Sequence, residues 1–154
     1  MEKQIYLFYG PDTFIIKSKT NQIINKFDVD EFNVTVYDAE ETNVKNAIND
    51  AQTIPFMSSK KIIVIKNCYF LTNEKIKKEI KHDLDSLSRY IENPVEETVL
   101  ILNAPYEKLD ERKAITKVIK NKANVIKCDP MKQVDLASWV RRQLGKNNIK
   151  IERP

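Results

Sequence analysis

The hydrophobic residues of this chain follow two alternating patterns. Short, nearly continuous apolar runs are typical of buried strands, and longer segments with an apolar residue every three or four positions are typical of helices. The runs predict five strands, at residues 5–9, 32–37, 61–66, 98–102 and 124–128. The intervening segments predict four helices, which begin near Asp12 or Thr13, near Thr42, and over residues 73–92 and 110–121.

This alternation of strands and helices predicts the fold class. Three of the strands, such as Ile62–Ile65, are apolar at successive positions, which is typical of a parallel sheet covered by helices on both faces. In the second strand the apolar residues alternate instead, with Phe32, Val34 and Val36 on one face. We therefore predict an α/β fold, a three-layer sandwich around a five-stranded parallel sheet of the P-loop or Rossmann type.

The pattern changes after Pro130. One more amphipathic helix is predicted there, and Gly145 is a natural residue to follow its end. Its apolar positions are Val134, Leu136, Trp139, Val140 and Leu144. We expect residues 1–130 to form the α/β domain and residues 131–154 to be the truncated beginning of a second, helical domain.

The amino-acid composition argues against several classes of protein, namely membrane-spanning, secreted and strongly nucleic-acid-binding ones. A content of 42% hydrophobic and 31% charged residues is ordinary for a globular domain, and no apolar run approaches the roughly 20 residues of a membrane span. The N-terminus lacks a signal-peptide pattern. Cys68 and Cys128 lie far apart among apolar residues, which predicts buried, reduced thiols in a cytoplasmic protein. A net charge of +4 falls short of the clustered positive face of a nucleic-acid binder.

The turn after the first strand has the position of a phosphate-binding loop but lacks its residues. Gly10 ends the strand and a predicted helix follows at once, which is the strand–turn–helix setting of a P-loop. Ile15 and Ile16 occupy the places of the second glycine and the lysine, and Lys17 is out of register by one. Bulky β-branched residues prevent the backbone from wrapping a phosphate, so we predict a degenerate loop.

The acidic residues of a P-loop ATPase are also missing at the corresponding position. An acidic pair that holds Mg²⁺ and orients water would follow the four apolar residues at the end of the third strand. Lys66 and Asn67 follow the quartet Ile62–Ile65 instead. Two losses at matching positions favour a nucleotide-binding fold whose catalysis has been lost, but an unrelated α/β fold that never had either motif receives equal weight from the residues themselves.

The chain offers no other catalytic or metal-binding set. His82 is the only histidine and is predicted to be solvated on a lysine-rich helix. Asn103, at the place of a polar sensor of ATPases, is predicted to form a turn before Pro105. We therefore predict no catalytic residues, no metal and no cofactor.

The connection before the third strand is unusually apolar. Ile54, Phe56 and Met57 surround Pro55 in a short segment, whereas connections are normally polar. A stiff, exposed apolar segment is typical of an interface anchor, worth roughly 2–4 kcal/mol for a residue such as phenylalanine. The alternative is that these side chains fold back and cap the core.

These features together resemble a known family. The stretch from Ile5 to Phe14, the segment Ile54–Met57 leading into residues 60–67, and the late residues 136–140 followed by Gly145 are similar to the delta subunit of the bacterial DNA polymerase III clamp loader. The resemblance covers the whole chain, and the order and spacing of the motifs carry it. The family protein is longer, so the chain resembles its first domain and the start of its small lid domain.

The resemblance implies an AAA+ fold without ATP hydrolysis, in a non-catalytic subunit of a DNA-directed DNA polymerase holoenzyme. Its implied role in DNA replication is to bind and open the ring-shaped sliding clamp (the beta subunit) for loading onto primed DNA. The apolar pair that enters the clamp corresponds to Pro55 and Phe56, with Ile54 and Met57 sharing the contact and Gln52 as a hydrogen-bond donor. Further implied partners are the tau/gamma and delta-prime subunits, with DNA contacted indirectly, in the bacterial cytoplasm.

Two other functions compete with this interpretation. An active P-loop NTPase or nucleotide kinase would bind ATP near Gly10. A direct DNA-binding module would use lysines of the third strand and the segment after it. Those lysines are Lys60, Lys61, Lys66, Lys75, Lys77, Lys78 and Lys81.

Overall fold

The computed structural model describes residues 4–77, 79–130 and 140–143. Nine regular elements follow one another in the described part of the chain, together with short 3-10 turns at Glu31–Asn33 and Tyr69–Leu71. They are β1 (Ile5–Tyr9), α1 (Thr13–Phe27), β2 (Val34–Asp38), α2 (Val44–Ala51), β3 (Lys61–Lys66), α3 (Leu84–Glu92), β4 (Thr98–Ala104), α4 (Ala114–Lys122) and β5 (Asn124–Lys127).

The five strands form one parallel sheet in the order β2-β3-β4-β1-β5. One face packs against α2, α3 and α4 through an apolar core that includes Leu87 and Ile119, and the other packs against α1 through Ile15 and Ile16. The central strands are buried on both faces, which explains why their sequences are apolar throughout. The predicted three-layer α/β fold is confirmed.

The second strand is shorter than predicted and its predicted apolar face is exposed at two positions. Phe32 lies in the 3-10 turn before β2 with 76% of its surface exposed, and Val36 is 55% exposed. Asn33, which the alternation places on the opposite face, is the buried residue of this turn. β2 is an edge strand whose residues are only partly covered, so its alternating pattern does not identify which side chains are buried.

The predicted helix over residues 73–92 is wrong in its first half. Helix α3 begins only at Leu84, where Asp83 caps it by accepting a hydrogen bond from the Ser86 N–H at 3.0 Å. Upstream, the hydroxyl of Tyr69 accepts from the N–H of Ile80 at 2.9 Å and donates to its carbonyl at 3.1 Å. These side-chain bonds satisfy backbone groups that a helix would otherwise pair, so tertiary contacts override the local helical pattern.

His82 lies in this irregular stretch. The prediction that its side chain is solvated is wrong, because both ring nitrogens bond to the main chain. Its Nδ1 accepts from the N–H of Val44 at 2.9 Å, so Nε2 carries the proton and donates to the carbonyl of Ala39 at 2.9 Å. The ring also packs against Tyr69 and Phe70. Burial lowers the pKa of His82, which favours the neutral ring and this structural role.

Both cysteines are free and buried, as predicted. Burial raises the pKa of Cys128 to about 11, and the pKa of Cys68 is raised further for the same reason. Neither thiol is therefore poised to react at neutral pH.

The remaining differences concern element ends and the C-terminal segment. α4 begins at Ala114, four residues after the predicted start at Asp110, and β4 continues to Ala104. Residues 140–143 are helical, but the rest of the predicted helix after Pro130, and with it the predicted second domain, lies outside the described residues.

Candidate functional site

The carboxyl ends of the parallel strands, which we call the carboxyl edge of the sheet, are the place where a P-loop protein would hold phosphate. Main-chain contacts close this edge. Gly10 has a φ of +136°, and a Cβ added there would lie 2.3 Å from the carbonyl oxygen of Cys128. The N–H of Gly10 donates to the carbonyl of Ala104 at 3.2 Å, and the N–H of Asp12 donates to the carbonyl of Cys128 at 3.3 Å. Gly10 is required here because another backbone passes within the reach of a side chain.

The N-terminus of α1 carries its own acid where an anion would bind. The carboxylate of Asp12 accepts from the N–H of Ile15 at 3.1 Å, which satisfies a donor that phosphate would use. The side chains of Ile15 and Ile16 are buried under the sheet, while Lys17 points to solvent. The residues of the predicted degenerate loop thus serve helix capping and core packing.

The position after β3 forms a small polar cluster with the end of β2. Nδ2 of Asn67 donates to Asp38 at 3.1 Å, and the ammonium group of Lys66 lies 4.0 Å from the same carboxylate. Asn67 has a left-handed φ of 58°, which asparagine tolerates better than most residues. Asp38 also accepts from the N–H of Glu40 at 2.9 Å, so its oxygens are used within the chain.

Asn103 does not form the predicted turn. It lies within β4, and its carboxamide oxygen accepts from the hydroxyl of Thr20 on α1 at 3.1 Å. The side chain thus joins the sheet to α1 at the carboxyl edge.

At the amino ends of the strands, the amino edge of the sheet, large apolar side chains are exposed to solvent. The connection between α2 and β3 exposes three large apolar side chains, with 89% of Ile54, 69% of Phe56 and 90% of Met57 accessible. Pro55 is buried between them, so its side chain does not contribute to this surface. We call the three exposed residues the apolar tip.

Gln52 adjoins the apolar tip at the end of α2. Its side chain is exposed, and its backbone N–H caps the helix by donating to the carbonyls of Ile48 and Asn49. Among the predicted site residues Gln52 and Ile54–Met57, Pro55 alone is buried.

A partly buried network around the buried Lys61 holds the chain just before the apolar tip. The ammonium group of Lys61 donates to the carboxylate of Asp50 and to the hydroxyl of Thr53, each at 2.6 Å. Tyr37 donates to the other oxygen of Asp50 at 2.6 Å. Burial alone would raise the pKa of Asp50, but the hydrogen bonds from Lys61 and Tyr37 outweigh it and hold that pKa below its ordinary value. Burial and the bond to Asp50 raise the pKa of Tyr37 to about 12.

A second contact holds the middle of the apolar tip and was missed by sequence reasoning. The carboxamide of Asn33 bonds to both main-chain groups of Phe56, accepting from its N–H at 2.8 Å and donating to its carbonyl at 2.6 Å. Met57 follows with a left-handed φ of 52°, which is uncommon for a residue of its size. The contact joins residues 23 positions apart, and no local pattern in the sequence indicates it.

Of the lysines considered for DNA binding, Lys60, Lys61 and Lys66 contact other groups of the chain itself. Lys61 is buried against Asp50, and the ammonium group of Lys60 donates to the carbonyl of Glu96 at 2.8 Å. Lys75, Lys77 and Lys81 are exposed, but they lie on an irregular segment where a helix was predicted. Lys78 lies outside the described residues.

The described residues contain no group of three or more histidine, cysteine, aspartate or glutamate side chains that could hold a metal ion. None of the helices in the described ranges is long and apolar enough to span a bilayer.

Comparison with known proteins identifies the family. A family model described as DNA polymerase III, delta subunit, matches residues 6–129. The DNA polymerase III subunit delta of Bacillus subtilis (strain 168) is 43% identical over 122 residues, which cover 77% of this chain and 35% of that protein. The chain thus spans about a third of the length of this curated relative.

Solved structures agree with this assignment. The Bacillus subtilis DNA clamp loader delta protein (YqeN) matches with a TM-score of 0.82 and 36% identity, over 94% of this chain and 43% of that one. A DNA polymerase III gamma subunit-related protein of Thermotoga maritima matches with a TM-score of 0.58 over 94% of this chain and 49% of that one, but at 16% identity it shows the fold alone. Since the family model covers most of the sequence, this chain belongs to the DNA polymerase III delta subunit family.

Proposed function

We propose that this chain is the clamp-binding part of a clamp-loader delta subunit, and that the apolar tip is the surface that enters the sliding clamp. The single observation that carries the proposal is the exposure of Ile54, Phe56 and Met57 on a segment held in place by Lys61 and Asn33. Three adjacent large apolar side chains in water favour a partner that buries them.

The energetics fit an anchor. Burying a side chain of this size contributes about 1.5–3 kcal/mol, and an aromatic anchor in a central pocket contributes roughly 2–4 kcal/mol. Because the main chain of Phe56 is held at both its N–H and its carbonyl, less backbone entropy is lost when this residue binds. Phe56 takes the main role because it combines an aromatic side chain with this fixed main chain, and Ile54 and Met57 flank it.

Opening of the clamp follows from preferential binding. A ring-shaped partner in equilibrium between closed and open states shifts towards the state that the delta subunit binds more tightly. This step requires no chemistry from the delta subunit itself. The clamp would be loaded onto primed DNA by the whole complex, in which this chain contacts DNA only indirectly.

We further propose that this chain neither binds nor hydrolyses ATP. The carboxylate of Asp12 bonds to a helix N-terminal donor and would repel phosphate, and the backbone of Cys128 fills the space beside Gly10. ATP would act through the tau/gamma subunits, with delta-prime completing the loader in the bacterial cytoplasm.

A titration against purified sliding clamp tests the proposal. Phe56→Ala is expected to weaken binding at least about 30-fold, since the loss of an anchor costs roughly 2 kcal/mol or more. Phe14→Ala is the matched control, because Phe14 is also a largely exposed phenylalanine but lies on the first turn of α1 at the other edge of the sheet. Equal affinity of the Phe56 and Phe14 variants would refute the assignment of the tip.

A further inference from the structure

Asn33 is a buried polar residue whose side chain serves a single purpose in the described structure. Only 5% of its surface is accessible, and both of its recorded side-chain hydrogen bonds go to the main chain of Phe56. Its own N–H donates to the carbonyl of Asp30 at 2.8 Å, so the backbone of Asn33 is fixed by its turn.

The side chain of Asn33 holds the main chain of Phe56 at two points, and we call this pair of hydrogen bonds the clip. A carboxamide carries a donor and an acceptor in one plane, and here it pairs with the N–H and C=O of one residue at 2.8 and 2.6 Å. Aspartate lacks the donor, and an aliphatic residue lacks both groups. Because the Asn33 side of the contact is buried, its carboxamide can exchange these bonds for bonds to water only if the segment moves.

We infer that Asn33 is a positioning residue that holds Phe56 in its binding conformation before the partner arrives. The inference rests on the proposed function, in which Phe56 is the anchor. If the unclipped segment samples several conformations and only one binds, the apparent affinity falls in proportion to the population of that one. Asn33 thus contributes to clamp binding without contacting the clamp.

Two measurements test the inference separately from the proposed function. Amide hydrogen exchange at Phe56 reports the clip without any partner, and titration with purified sliding clamp reports its consequence. In Asn33→Ala we expect the Phe56 amide to exchange at least about tenfold faster than in the wild type, with amides of β3 unchanged, because the loss is local. We expect clamp affinity to fall about tenfold.

Asn43→Ala is the matched control. The carboxamide of Asn43 also joins two segments, donating to the carbonyl of Lys81 at 3.0 Å and accepting from the N–H of Asp83 at 3.1 Å, but it lies at the other end of α2. This variant loses comparable hydrogen bonds without touching Phe56. Asn33→Asp, which keeps the acceptor and removes the donor, is a second variant should the alanine variant be poorly folded.

A double-mutant cycle separates positioning from general stability. In a Phe56→Ala background, Asn33→Ala should have no further effect on clamp affinity, because no anchor remains to be positioned. Unchanged exchange at Phe56, or an undiminished loss of affinity in that background, would overturn the inference. Wild-type affinity of Phe56→Ala would instead refute the proposed function, while the exchange measurement would still judge the clip.

Discussion

The carboxyl and amino edges of the parallel sheet differ in where their connecting segments direct polar and apolar groups. At the carboxyl edge, Gly10, Asp12 and Asn103 direct their polar groups at other parts of the same chain. At the amino edge, the polar groups of Asn33 and Lys61 face inward and hold a segment whose apolar side chains face outward. At one edge these groups are occupied by the chain itself, and at the other edge large apolar side chains are exposed.

If the apolar tip binds the clamp as we propose, the binding surface of this chain lies at the edge opposite to the usual one. Open parallel sheets usually bind ligands at the carboxyl edge, where helix N-termini and loops converge. Here capping and packing occupy those groups, and the exposed binding potential lies at the opposite edge. At each edge one short polar side chain satisfies main-chain groups, since Asp12 bonds to the N–H of Ile15 and Asn33 bonds to the N–H and carbonyl of Phe56.

The largest effect is expected at the closed edge. Gly10→Ala should lower the free energy of unfolding by about 3 kcal/mol or more, because the new Cβ would meet the carbonyl of Cys128 and the residue has a φ of +136°. Chemical denaturation measures the loss. The fraction that remains folded should bind the clamp with wild-type affinity, and a loss of stability below about 1 kcal/mol would show that this turn is not rigid.

A somewhat smaller effect is expected from the network beneath the apolar tip. Lys61→Met should cost about 2–3 kcal/mol of stability at pH 7, because the carboxylate of Asp50 loses its buried partner. Lys60→Met is the matched control, since Lys60 is less buried and has no recorded acidic partner. Denaturant unfolding of both variants gives the comparison.

The pH dependence of this difference has a defined sign. The folded pKa of Asp50 lies below the unfolded value of 3.8, so the carboxylate contributes stability that is present above pH 3.8 and lost as the pH falls towards the folded pKa. The stability difference between the wild type and Lys61→Met should therefore shrink as the pH is lowered through this range. A difference that grows in acid would contradict the assigned network.

The smallest effect concerns the acid at the start of α1. Asp12→Ala should lower stability by about 1 kcal/mol through the loss of the helix cap. Neither this variant nor the wild type should show a rise in melting temperature with ATP and Mg²⁺, because packed isoleucines and the Cys128 backbone remain. Asp83→Ala, which removes the corresponding cap of α3, is the control, and a nucleotide-dependent rise in either the wild type or Asp12→Ala would reopen the carboxyl edge as a binding site.

The sequence predicts the sheet better than the irregular segments, and the reason is physical. A buried parallel strand must be apolar on both faces. The strand at Ile62–Ile65 can therefore be predicted from its own residues, without knowing which strands pair with it. The first half of the helix predicted over residues 73–92 is absent because Tyr69 and His82 bond to backbone groups of other segments, which no periodicity reveals.

The candidate site divides in the same way. The apolar composition of residues 54–57 is visible in the sequence, and so is the loss of the phosphate loop. The inward side chain of Pro55 and the contact between Asn33 and Phe56 depend on two loops meeting at the start of β2 and β3. The alternating pattern predicts that Phe32 is buried in that turn, but Phe32 is exposed and Asn33 is buried instead.

The close approach of Gly10 to Cys128 also sets the starting point for the rest of the chain. The main chain of Cys128 donates to Tyr9 at 2.6 Å and accepts from Asp12, so the polypeptide leaves β5 while bound on both sides of the first turn. A force applied through the residues that follow Asp129 would therefore be resisted first by α1 and β1.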